Sequence, residues 1–82
     1  LRLNVENAVL SAFKNGKNGM VIIRIYNCTG ESTKGFMELY KAPQHVYFLN
    51  MNDEIIEEVG FEGRKVPVNL GSAQILTFGV RF

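Results

Sequence analysis

The sequence contains no tryptophan, one cysteine, one histidine and two prolines. A single thiol, Cys28, cannot form an internal disulfide and cannot build a cysteine-rich metal site. A reducing compartment, the cytoplasm, is therefore the expected setting. Charge of one sign is also lacking. Nine basic and eight acidic side chains leave a net charge of +1. A nucleic-acid binder carries a basic stripe that meets phosphates. Here the densest basic groups are Arg64-Lys65 and the pair Lys14 and Lys17, so nucleic acid is excluded as a partner. No apolar run approaches the roughly 20 residues that cross a bilayer as a helix, and no signal peptide or lipidation motif is visible. A membrane is not an expected partner. No glycine-rich phosphate loop, solenoid repeat or low-complexity tract occurs.

Helical periodicity is nearly absent as well. Alternation with period two, punctuated by Gly, Asn and Pro, recurs instead. Leu1, Leu3 and Val5 outline a short strand. Ala8 to Phe13 forms a second run and ends in Lys14-Asn15-Gly16-Lys17-Asn18-Gly19. Its two Asn-Gly dipeptides accept the positive φ that tight hairpin turns require. Met20 to Tyr26 follows, β-branched enough for a central strand packed on both sides. Asn27 to Thr33 is polar and reverses the chain, and Lys34 to Tyr40 returns. Pro43 breaks that strand, and His45 to Met51 is the next. Asn52 to Val59, with Asp53 as a cap, predicts a helical fragment of a turn or two. Lys65 to Leu70 and then Ile75 to Phe82 complete the chain, with Phe78, Val80 and Phe82 as core. Short strands at this spacing predict an all-β fold, a small antiparallel β-sandwich of about six to seven strands. Eighty-two residues form one domain, and a domain so short buries only about 60% of its unfolded surface. The strand that begins at Leu1, with no initiating Met, reads as a piece of something longer.

The order of segments resembles the C-terminal β domain of family 38 glycoside hydrolases, the α-mannosidases. Val9-Leu10-Ser11-Ala12-Phe13-Lys14 resembles the family's "lSAlK" strand. Arg24-Ile25-Tyr26-Asn27, followed by Gly30-Glu31, resembles its strand ending and turn. Leu49 to Glu54 falls where the family carries "N-L-x-E", and Gln74 to Phe78 resembles its closing "E-I-x-T-L" strand. Cys28 stands where Pro or Ser is usual, and Gln74 replaces a frequent Glu.

The resemblance implies a parent enzyme that removes mannose from α-mannosides with a zinc ion and carboxylates. It places that machinery in a catalytic domain of the same polypeptide, outside residues 1–82. It also implies that this chain is a non-catalytic module docking on and stabilising that domain. The residues agree, because a retaining glycosidase needs two carboxyls about 5–5.5 Å apart and zinc needs three or four ligands. The acidic residues fall mostly in turns, and one His with one Cys cannot supply a metal site. No catalytic, metal or cofactor residue is therefore assigned within this chain.

Several residues carry two readings. Asn27-Cys28-Thr29 is a glycosylation acceptor pattern or a turn held by the Asn side chain. Cys28 is a nucleophile only if His45 activates it; the alternative is an inert thiol. Arg24 and Tyr26 share a strand face, where they make a cross-strand ion pair with a residue such as Glu38 and a packed ring. With Asn27, they otherwise line a substrate rim or domain-docking surface. Tyr40, Tyr47 and Phe48 are core or interface rings, or else a sugar-stacking platform for an independent carbohydrate-binding module.

Overall fold

The computed structural model describes residues 1–16 and 19–82. The Asn18 half of the second Asn-Gly dipeptide, and Lys17, lie outside the described residues. Eight strands are present among the described residues: β1 (Arg2–Asn4), β2 (Ala8–Asn15), β3 (Val21–Asn27), β4 (Thr33–Glu38), β5 (His45–Leu49), β6 (Ile55–Glu58), β7 (Lys65–Leu70) and β8 (Ile75–Arg81). They form two antiparallel sheets, a smaller one in the order β1-β4-β7 and a larger one in the order β2-β3-β8-β5-β6. The all-β sandwich expected from the alternation is what folds. Only β2–β3 and β5–β6 are hairpins between sequence neighbours that share a sheet; every other connection crosses between the layers.

One element differs from its sequence reading. Residues 55–58 form a strand at the edge of the larger sheet, paired with β5 through Tyr47↔Glu58 and Phe48↔Glu57. Asp53 does not cap a helix; its backbone sits in the left-handed region at φ 61°. The turn before β6 is organised by Asn50, whose Oδ1 accepts from Asn52 N at 2.8 Å and Glu54 N at 3.0 Å. A helix this short has almost no stability of its own, so pairing with β5 decides the outcome.

Period-two alternation sets the interior. Ile23 and Ile25 of β3, Phe78 and Val80 of β8 and Val46 of β5 face Met37 of β4 and Val66, Val68 and Leu70 of β7. Leu39 and Val59, just beyond β4 and β6, close the ends of this core. Phe48 tilts against Phe78 at 5.2 Å between centroids. Phe82 is only partly buried, unlike Phe78 and Val80, and packs at the rim of the core. Gly35 lets β1 approach β4, because a Cβ there would run into the Asn4 carbonyl oxygen and lie 3.1 Å from Val5 Cα.

The sheet edges are blunted in different ways, as edge strands exposed to water require. Strand β2 carries a bulge between Leu10 and Ala12. Strand β6 is short and ends in Glu57-Glu58. Strand β1 has three residues. Strand β7 uses proline. Leu39 N–H donates to Arg64 C=O, and ladder bonds alternate from there. Val66 and Val68 therefore bond to β4, and Pro67 turns its missing donor outward.

Candidate functional site: the outer face of the larger sheet

The sheet register builds this face in rows. Val9, Tyr26 and Ile75 lie side by side across β2, β3 and β8. Ala12, Arg24, Thr77 and Leu49 form the next row, and Lys14, Ile22, Gly79 and Tyr47 the one after. The third row is closed by its own small cluster of Met20, Ile22 and Leu49, with Tyr47 against it. The first row has no such cover: Val9 is 39%, Tyr26 36% and Ile75 52% exposed. The three form one continuous apolar strip on the sheet face rather than scattered surface hydrophobics.

Arg24 borders that strip and is held in place. Its Nε donates to Thr77 Oγ1 at 3.0 Å, and Nη2 donates to Asp53 Oδ1 at 3.4 Å. Asp53 is aimed by its turn, where its N–H donates to Asn50 C=O. The pair is about three-quarters buried on both sides, at 24% and 25% side-chain exposure. The expected Glu38 partner is incorrect. Glu38 belongs to the smaller sheet, where it accepts from Arg64 Nη2 at 3.2 Å. Distance along the chain gave no hint of Asp53, because the β5–β6 turn reaches Arg24 only through the sheet order.

Asn27 points the other way and is 3% exposed. Its Oδ1 accepts from Thr29 N and Thr29 Oγ1, each at 2.9 Å. Its Nδ2 donates to Gly71 C=O at 3.1 Å and to Glu31 C=O. The side chain thus ties the β3–β4 turn to the β7–β8 turn. Nδ2 is the atom that a glycan would occupy, so the folded chain presents no acceptor there. Arg24 and Tyr26 are brought together on one face, and Asn27 is not.

The aromatic platform is not assembled. Tyr47 and Phe48 are successive residues of β5 and face opposite sides of the sheet. Tyr40 lies beyond β4 and packs on Phe82 at 4.8 Å, with Lys41 Nζ above both rings. His45 contacts Glu58 at 3.0 Å through Nδ1 and stacks on Tyr47. Cys28 is exposed and its thiol donates to Asn7 C=O at 3.1 Å. The register puts Cys28 and His45 at opposite ends of the larger sheet, so His45 cannot activate the thiol.

Among the described residues, half of the eight carboxylates are engaged by neighbouring side chains, namely Glu38, Asp53, Glu54 and Glu58. Among the described residues no three His, Cys, Asp or Glu side chains gather closely enough to hold a metal ion.

Neither a curated protein nor a solved structure matches the sequence. A family profile does. The glycosyl hydrolases family 38 C-terminal beta sandwich domain matches residues 7–78, from the turn before β2 into β8. The match spans both sheets and the candidate face, and the two-layer all-β architecture agrees with its description. The chain belongs to the family of C-terminal β-sandwich domains of family 38 glycosyl hydrolases.

Proposed function

We propose that this domain is a non-catalytic docking module. It packs the outer face of its larger sheet on the catalytic domain of the same glycoside hydrolase and stabilises it. The observation that carries this reading is the uncovered Val9–Tyr26–Ile75 strip beside an arginine already fixed in direction. Apolar area in that row drives association, and Arg24 retains guanidinium hydrogens beyond its two bonds to meet a carbonyl or carboxylate across the interface. The family's α-mannoside chemistry, with its zinc ion, belongs to the partner domain. The free thiol of Cys28 supports a reducing, cytoplasmic setting.

The test mixes the purified 82-residue chain with the separately produced catalytic domain. Co-elution and a raised melting temperature of the catalytic domain are the expected results. Ile75→Ser weakens both while leaving the fold intact, since Ile75 is half exposed. Failure of the two parts to associate would remove the docking reading.

A further inference from the structure

A second surface, on the opposite layer, has the composition of a small binding site. Period two turns Phe36 and Pro67 to the outer face of the smaller sheet, where they are direct cross-strand partners. The loop after β6 brings Phe61 to the same surface, and together with Gly60, Glu62 and Lys65 they line an open trough of about 410 Å³. That volume lies within the range of small-ligand sites, which combine an apolar lining with a few placed polar groups. We infer that this trough binds a short, uncharged saccharide through one pyranose face.

The chemistry of the lining supports that class of ligand over others. A pyranose presents a face of C–H groups and a rim of hydroxyls. It therefore needs a flat apolar ring beside hydrogen-bonding charges. Phe36 and Pro67 form the floor, and Lys65 Nζ sits 4.8 Å from the Phe36 centroid, so one face of that ring is taken by the ammonium. Phe61, 36% exposed, is the ring left open for stacking. Glu62 and Lys65 supply an acceptor and donors for hydroxyls, and their charges cancel. A trough with no net charge favours a neutral polyol over a phosphate or an acidic peptide. The turn that carries both groups is set before any ligand arrives. Glu62 and Lys65 exchange backbone hydrogen bonds at 2.9 Å each across a turn with Gly63 at φ 59°. The ordering cost at binding is therefore confined to the two side chains and spares the backbone.

The glycine at the mouth gives a clean test. A Cβ built on Gly60 meets nothing within 4 Å, and Gly60 is not among the positive-φ glycines. Gly60 lines the trough, so Gly60→Leu adds a bulky side chain at its mouth without disturbing the backbone. Gly30 is equally open, lies in the β3–β4 turn and serves as the control. The amide spectrum of the 82-residue chain is titrated with methyl α-mannopyranoside, mannobiose and cellobiose. Saturable shifts confined to Gly35, Phe36 and residues 60–65 are expected with at least one of them. Gly60→Leu abolishes them with spectral dispersion retained, and Gly30→Leu does not. Phe61→Ala, a second variant on an exposed side chain, weakens the midpoint about tenfold or more. The inference is overturned if none of the three sugars shifts these amides at tens of millimolar, or if Gly60→Leu titrates like the unmodified chain. It is also overturned if a proline-rich peptide, and no sugar, occupies the trough. The docking face lies on the other sheet, so failure of one reading leaves the other standing.

Discussion

Replacing Asn27 by Ala removes four hydrogen bonds at once. Two are accepted from Thr29, through N and Oγ1, and two are donated to Glu31 C=O and Gly71 C=O. A net contribution near 1 kcal/mol per bond gives a ceiling of about 4 kcal/mol. Water reaches the exposed Glu31 side of the turn and recovers part of it, so a loss of about 2–3 kcal/mol is expected. A domain of this length holds roughly 4–12 kcal/mol in total, and each 1 kcal/mol lowers the melting temperature by about 4–8 °C. Urea unfolding followed by circular dichroism measures the change at constant slope. Asn27→Asp separates the two halves of the network. It keeps the acceptor for Thr29 but places carboxylate oxygen against two carbonyls, so it destabilises at least as much as Ala at neutral pH. Thr29→Val, which loses only the hydroxyl's bonds, costs about 1 kcal/mol. An Asn27→Ala variant within about 0.5 kcal/mol of the parent, the range of an ordinary surface change, would refute the reasoning.

Other substitutions test other parts of the molecule. Gly35→Ala forces β1 away from β4 and costs about 1–3 kcal/mol by overpacking, whereas Gly30→Ala, in open space, is neutral or slightly stabilising; paired thermal melts compare them. Phe78→Ala empties the centre of the core and costs about 3–5 kcal/mol, enough to leave a substantial unfolded fraction by circular dichroism. A double-mutant cycle on Arg24→Met and Asp53→Asn returns a coupling of about 1 kcal/mol, while the same cycle on Arg24 and Glu38 returns none.

Strands β3 and β8 were legible because dense β-branching and strict alternation state both their type and their buried face. The turn role of Asn27 was legible for a local reason, since an Asn after a strand bonds the backbone two residues on. Strand β6 was not. Asp53 followed by mixed Glu and Ile imitates a helix start, and the ladder that overrules it comes from β5, through pairing that local propensity does not encode. The Arg24 partner depended on sheet order and was likewise beyond a single sequence. The trough has a weak signal in the sequence: Phe36 shares its strand face with Lys34 and Glu38, an aromatic among charges on an exposed face. Nothing in the sequence placed Phe61 beside it.

The docking of the larger sheet's outer face is tested most directly by hydroxyl-radical footprinting of Val9, Tyr26 and Ile75. The isolated 82-residue chain is compared with the same chain joined to the catalytic domain of the proposed parent hydrolase, with Tyr40 as the internal reference. Strong labelling in isolation and protection of all three side chains in the intact enzyme are expected. Equal labelling in both states would contradict a docked face.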